Sequence, residues 1–534
     1  MKNQVQGAIV EWRNLLNDAQ VLSGPAAQER YGKDTNGIQR QIPAALCITA
    51  ADSLPAVMKI AQRYGISVYP ISTGRNWGYG TAMPSSENCV IIDLSALNKI
   101  LDFDAELGVI NVQPGVTQGI LAEFLDAHGH EFMVPVTGAG PACSLIGNAL
   151  ERGFGITPYT DHFSAVTDIE AVLPDGELFR TALHEAGGAE LASLFKWGIG
   201  PYITGLFTQS GFGIVTRMSI LLARRPESVK ICLFSLKNDD LLEIAVERIH
   251  TLLNKLPSTI AATNLMNQHR MLSMAAPYPT DQLGSDGLIP LELIERMGKQ
   301  YQILPWTGLM TLYGTRLVVK AAQKEIKRAM AGVASRLIFL THGQAQSLSR
   351  LSSYLPGAIG QRLASTAKTL ALSLDLVNGR PNETALPLAY WLNKKTHANE
   401  SPRNPGQDDC GLIWYAPLIP MRPKRVKAYV EMARAVTIKH GIEPLLTLTS
   451  IGDRVFDSTV PILYDKASPI AMGNAKACYD ELLEVGRSQG FFPYRLSPDG
   501  MRAFQVMHPL SSDMAAKLKV AIDPQGLMAP ERYR

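Results

Sequence analysis

Apolar residues recur along this chain with two different spacings, and the switches between them outline its elements. Val5, Ile9, Trp12 and Leu16 fall three to four positions apart, which predicts an amphipathic helix at the start. Ser53-Leu54-Pro55 supplies a cap and a first-turn proline for a second helix, which Gly65 closes. Short apolar runs at Ile66 to Tyr69, Val90 to Leu94 and Val109 to Val112 have the length of buried strands. A further helix runs from about Thr117 to His128 and stops at Gly129. Strands at Asp168 to Leu173 and Glu177 to Arg180 flank Pro174-Asp175-Gly176, a hairpin turn, and Ile214 to Leu222 is another strand.

The pattern changes near Arg224-Arg225-Pro226. A strand-then-helix unit recurs beyond it: Ile231 to Phe234 before Leu241 to Leu256, Leu309 to Gly314 before Val318 to Met330, and Leu412 to Pro417 before Lys424 to His440. These units predict a mixed sheet covered by helices on one face. Residues 397 to 411, rich in proline, glycine and acids or amides, read as an exposed loop. The closing stretch holds a strand (Phe491 to Leu496), a helix ending near Val520 and the turn Asp523-Pro524-Gln525-Gly526. An α+β protein is expected, with residues 1–225 as one domain, 226–490 as a second, and 491–534 returning to the first.

Composition narrows the function classes. The chain has 534 residues, 46% hydrophobic and 19% charged, an ordinary globular balance with room for several domains. A net charge of +3, without basic runs interleaved with aromatics, argues against a nucleic-acid partner. The six cysteines are far apart and form no Cys-x-x-Cys pair, as expected of reduced core thiols in an intracellular protein. No apolar leader opens the chain and no window approaches a membrane span, so a cytoplasmic location away from membranes is expected. His128 and His130, two apart at a helix end, lack the ligand pattern of a metal site.

The chemistry concentrates in Pro70 to Gly80, Pro-Ile-Ser-Thr-Gly-Arg-Asn-Trp-Gly-Tyr-Gly. Gly74, Gly78 and Gly80 allow backbone angles closed to other residues, so successive N–H groups can converge on an anion. Ser72, Thr73, Arg75 and Asn76 add donors in the same turn. Met83-Pro84 argues against a helix opening directly afterwards, and neither the dinucleotide fingerprint nor the P-loop pattern fits. The stretch therefore reads as a diphosphate cradle built from loop backbone; taken alone, it is equally a tight turn with no ligand.

Four segments in order resemble the vanillyl-alcohol oxidase and para-cresol methylhydroxylase flavoproteins. Pro70 to Gly80 is similar to their cofactor loop, and Gly147 to Gly155, continuing to Thr157-Pro158-Tyr159, resembles their second FAD segment. Gly200-Pro201-Tyr202 through Ser210 to Gly213-Ile214-Val215-Thr216 resembles the third, and Asp523-Pro524 to Ala529-Pro530 resembles the closing motif. The resemblance implies an FAD-binding domain of two α+β subdomains, a mixed-sheet cap domain carrying substrate, and a homodimer. FAD would be held by Ser72, Thr73, Gly74, Arg75, Asn76, Gly78, Gly138, Gly140, Ser144, Gly147, Asn148, Gly153, Gly155, Tyr159, Gly213, Ile214 and Val215.

The implied reaction is oxidation of a para-substituted phenol at its benzylic carbon, through a quinone methide. Its electrons would pass to a c-type cytochrome, another acceptor or oxygen. Tyr79 resembles the family's phenol-binding tyrosine, and Tyr494-Arg495 its phenolate pair. Arg532 falls on a basic position after the closing motif, where Glu531 replaces the usual glycine. The competing readings are an oxidase of non-phenolic alcohols or hydroxy acids on the same scaffold, and a non-catalytic flavoprotein. Trp414-Tyr415 is a candidate pocket wall, and Asp161-His162 reads either as a general base or as a buried structural pair.

Two departures from the family stand out. Many members carry a histidine or tyrosine covalently linked to the flavin, shortly before the motif that here reads Trp414 to Pro417. This neighbourhood offers Asn404 to Leu412 without either type, leaving only Tyr390 and His397 further upstream, so non-covalent FAD is expected. The aspartate that some members place near flavin N5 has no counterpart in Val136 to Pro141.

Overall fold

The computed structural model describes residues 2–129, 131–352, 369–393, 402–505 and 509–533. Its opening helix, Lys2–Leu15, packs Ile9 and Trp12 against the helix Leu54–Tyr64, and the Trp12 indole donates to the Val57 carbonyl at 3.2 Å. Gly65 takes the left-handed conformation (φ +62°) that ends the second helix. These helices cover a four-stranded sheet ordered Val21–Ser23, Ala44–Cys47, Val90–Asp93, Val68–Ile71, in which the last three strands run parallel. A second, antiparallel sheet of five strands follows the order Ile100–Asp104, Val109–Val112, Ile214–Leu221, Val166–Val172, Leu178–Arg180.

The third sheet has eight strands: Arg336–Leu340, Ser228–Leu236, Trp306–Gly314, Ile260–Asn267, Thr447–Ile451, Val455–Tyr464, Gly411–Pro420 and Phe492–Arg495. Every adjacent pair in it is antiparallel, where the recurring strand–helix units pointed to a mixed sheet. The reason is an inserted strand. Ser228–Leu236 and Ile260–Asn267 are parallel to each other across the helix Leu242–Lys255, but Trp306–Gly314 lies between them. Gly411–Pro420 and Thr447–Ile451 repeat the arrangement around Pro423–Lys439, with Val455–Tyr464 between. Each unit is a split βαβ crossover, parallel in direction yet never adjacent.

One face of this sheet packs on the helices Leu242–Lys255, Arg316–Ala329, Pro423–Lys439 and Pro469–Ser488, burying Phe234, Trp306, Tyr415, Tyr429, Phe456 and Phe491. Side chains alternate across the strands, so Leu265 and Leu448 enter that core while their neighbours Asn264, Met266, Thr447 and Thr449 turn to the opposite face and line a cavity.

The end of the chain is tied back to the first sheet. Val68 donates to the Leu527 carbonyl at 2.9 Å, and Ala529 donates to that of Val68 at 2.8 Å, adding Met528 beside Val68 as a parallel bridge. Lys519, buried on the helix Pro509–Ile522, pairs with Asp523 at 2.8 Å and donates to the carbonyls of Met528 and Gly211. Among the described residues no helix is long and apolar enough to cross a membrane.

Candidate active site

A cavity of about 530 Å³ runs from the loop after strand Val68–Ile71 to the polar face of the eight-stranded sheet. Ser72 to Asn76 form its near end. Gly74 sits at φ +63°, and the backbone N–H groups of Thr73, Gly74 and Arg75 meet no acceptor among the described residues. Such unpaired donors converging on a cavity suit a diphosphate. Gly147 faces them; a Cβ there would lie 2.3 Å from the Ser72 hydroxyl, so glycine keeps this wall open. Ser144 caps the helix Leu145–Leu150 by accepting from the Gly147 N–H at 3.0 Å.

Ser72, Thr73, Gly74, Arg75, Asn76, Gly138, Ser144, Gly147, Asn148, Gly153, Gly155, Gly213, Ile214 and Val215 all line the cavity. Gly78, Gly140 and Tyr159 do not. Gly78 supports the loop from behind: its N–H donates to the Thr35 hydroxyl at 2.7 Å, and a Cβ there would meet the Trp414 ring at 2.0 Å. Gly140 forms a turn at φ +83°, and Tyr159 is 40% exposed.

The second half of the site gathers Tyr79, Tyr494, Arg495 and Arg532 on one stretch of the same cavity. The Arg495 guanidinium lies 4.3 Å from the centre of the Tyr79 ring and donates to the Asn76 side chain at 2.6 Å. Glu151 stands 3.7 Å from Arg495 and also pairs with Arg532, whose other terminal nitrogen donates to Tyr69 at 2.5 Å. The Tyr494 ring packs edge-on against Phe154 at 5.2 Å, and Gln209 holds its carbonyl at 2.9 Å. Burial, and secondarily neighbouring phenols and the Asp457 charge, push the hydroxyls of Tyr79 and Tyr494 above their ordinary range. Burial pulls the Arg495 guanidinium down and the surrounding Tyr79, Tyr494 and Tyr533 side chains pull it up, leaving it on balance above its ordinary range. The tyrosines are therefore neutral donors beside a fixed cation, a set that stabilises an oxyanion. Glu531 adopts φ +66°, which accounts for glycine being usual at its position.

Trp414 lines the cavity while Tyr415, next on the strand, is fully buried in the core, so only the first is pocket wall. Asp161 and His162 do not pair with each other. His162 bonds Asn148 at 2.5 Å, and burial lowers its pKa to about 4, which keeps it neutral. His130 and His397 lie outside the described residues, and among those described no cluster could hold a metal ion.

Three charged residues of the cavity escaped the sequence reading. Glu151 sits inside the second FAD segment but was not singled out. Asp457 lies opposite Thr449 on the adjacent strand, lines the cavity, and has one carboxylate oxygen without a partner among the described residues. Burial raises its pKa to about 7, with Arg495 pulling the other way. The folded chain thus holds this proton to about pH 7, whereas an ordinary aspartate releases it near 3.8, so stability falls as pH rises through that window. Asp457→Asn is expected to flatten this fall; denaturant midpoints from pH 4 to pH 8 check it. Arg270, on the helix Gln268–Ala275, also lines the cavity.

Comparison with known proteins agrees with this geometry. Residues 43–182 match the FAD binding domain family model. The chain is 32% identical to the 1'-carboxy-chondrochloren decarboxylase of Chondromyces crocatus, over 99% of this chain and 97% of the relative. It is 28% identical to the 4-cresol dehydrogenase [hydroxylating] flavoprotein subunit of Pseudomonas putida, over 98% and 94%. The crystal structure of p-cresol methylhydroxylase with substrate bound superposes with a TM-score of 0.87 at 26% identity, covering 100% of this chain and 97% of the other. The unpaired donors of the cradle, the glycine-lined wall and the full-length relatives agree on FAD as cofactor. This chain belongs to the vanillyl-alcohol oxidase and para-cresol methylhydroxylase flavoprotein family and is an FAD-dependent oxidoreductase.

Proposed function

We propose that the protein oxidises para-substituted phenols, of the 4-alkylphenol or 4-hydroxybenzylic type, at the benzylic carbon. The observation that carries this reading is the buried Arg495 guanidinium flanked by Tyr79 and Tyr494 in the cavity that the cofactor loop opens into. A non-phenolic alcohol gives this oxyanion set nothing to hold. FAD, when bound, supplies the acceptor for the hydride. The protein's own task is to hold the phenol as phenolate: Tyr79 and Tyr494 donate to its oxygen and Arg495 balances the charge. The oxyanion's electrons then expel hydride from the benzylic carbon and leave a quinone methide. Asp457 lines the same cavity, and its carboxylate, ionised as pH rises past about 7, takes the proton from water adding to that carbon in this reading. Electrons leave to a c-type cytochrome or to oxygen. Anaerobic addition of 4-ethylphenol or vanillyl alcohol is expected to bleach the flavin; a panel of para-substituted phenols that leaves the spectrum unchanged overturns the reading.

A second fate of the quinone methide is supported by the relative named as a decarboxylase and by the cationic Arg270 in the cavity. A carboxylate on the carbon next to the benzylic position leaves as CO₂, and its bonding pair restores the aromatic phenolate, giving a vinylphenol. Trapping released CO₂ during a single anaerobic turnover separates this fate from water addition.

FAD is held without a covalent bond in this reading. Tyr390 is buried, donates to the Asp408 carboxylate and does not line the cavity. Acid precipitation is expected to leave the yellow colour in the supernatant; colour in the pellet refutes it.

A further inference from the structure

Arg270 is a cation with no matching charge. It is 9% exposed, lines the cavity, and forms no ion pair among the described residues. Its guanidinium makes one long contact, to the Ser273 hydroxyl at 3.4 Å, and its Nε has no partner. Burial lowers its pKa only to about 10, so it stays protonated at neutral pH. A buried unpaired charge is costly unless a ligand completes it. The arginines at the phenol end, by contrast, have partners: Arg495 has Asn76 and Glu151, and Arg532 has Glu151 and Tyr69.

The residues around Arg270 support an anion there. Thr447 lines the same cavity with a hydroxyl that has no partner among the described residues, and it lies opposite Met266 on the neighbouring strand. The strand Ile260–Asn267, which leads into the Arg270 helix, is separated from the Arg495 strand by three others in the sheet order. Four strand spacings of about 4.8 Å put the two backbones on the order of 19 Å apart. Both side chains line the same cavity, which spans this distance.

We infer that Arg270 is a specificity residue that binds a carboxylate on the side chain of the phenolic substrate, so that the preferred substrates are 4-hydroxyphenyl compounds carrying an acid at the far end. The inference rests on the phenol reading above and narrows its substrate class. Arg495 takes the phenolate and Arg270 takes the carboxylate, in a bidentate fork that lysine reproduces only as a point charge.

The test is anaerobic stopped-flow reduction of the holoenzyme by 3-(4-hydroxyphenyl)propanoate and by 4-propylphenol, with the dissociation constant read from the concentration dependence of the flavin-reduction rate. The wild type is expected to bind the acid more tightly than the alkylphenol. Arg270→Met is expected to weaken the acid on the order of 10- to 100-fold while leaving 4-propylphenol unchanged, and Arg270→Lys to recover part of the loss. Equal affinity of the wild type for both ligands overturns the inference and leaves the phenol reading intact. Equal weakening of both ligands in Arg270→Met, or loss of FAD from both variants, also overturns it, because Arg270 then serves the fold or the cofactor. Failure of both compounds to reduce the wild-type flavin overturns the phenol reading and the inference together.

Discussion

Arg495→Met is expected to slow flavin reduction by a 4-alkylphenol on the order of 10³-fold, with FAD content retained. The physical reason is the ionisation that the reaction demands. A phenol with a pKa of about 10 must lose its proton near neutral pH, a shift of three units or about 4 kcal/mol. Tyr79 and Tyr494 are held neutral by burial and contribute hydrogen bonds but no charge. Arg495 is the cation among them, 4.3 Å from the Tyr79 ring and buried, where charge is poorly screened. Removing it does not strand Glu151, because Arg532 still pairs with that carboxylate. The loss therefore falls on the phenolate rather than on a new buried charge. Stopped-flow reduction under anaerobic conditions measures it, and a rate within tenfold of wild type removes Arg495 from the chemistry.

Lys519→Met is expected to cost about 3–5 kcal/mol of folding stability, the usual price of breaking one side of a buried ion pair. Lys519 and Asp523 are 5% and 3% exposed and meet at 2.8 Å. The lysine also donates to two carbonyls, Gly211 and Met528, which lose their partner with it. Asp523 would remain buried, still accepting from the N–H groups of Leu527 and Met528. These contacts fasten the closing segment onto strand Val68–Ile71, so FAD release is expected to accompany the drop in denaturation midpoint. Unchanged stability would show that the pair is dispensable to the return of the chain.

Local rules made much of this legible. The helix expected from about Thr117 runs Gln118–Ala127, its start fixed by the Thr117 hydroxyl accepting from the Ile120 N–H, and Val109–Val112 is a strand end to end. The cofactor loop was visible because glycines and short donors cannot hide in a pattern otherwise built from apolar periods. Direction within the large sheet was not visible, since an antiparallel neighbour inserted from far along the chain leaves no local trace. Strands Ile260–Asn267 and Thr447–Ile451 carry Asn264, Thr447 and Thr449 on their cavity face, which broke the apolar run that marks a buried strand. Asp457 and Arg270 were missed for a related reason. Each is an ordinary charged residue in sequence, and only burial against a cavity with incomplete partners distinguishes it.

The attachment of the closing segment to Val68 has a consequence in time. Translation delivers the diphosphate cradle and most of the large sheet first, while Tyr494, Arg495 and the Met528 bridge emerge last. A ribosome-bound chain halted before residue 491 would carry the means to bind part of a cofactor but not Arg495, the cation to which the proposed reaction assigns the phenolate. On the proposed reaction, oxidative competence arrives only after the strand Phe492–Arg495 has joined the eight-stranded sheet, and C-terminal clipping back past Tyr494 is expected to remove it.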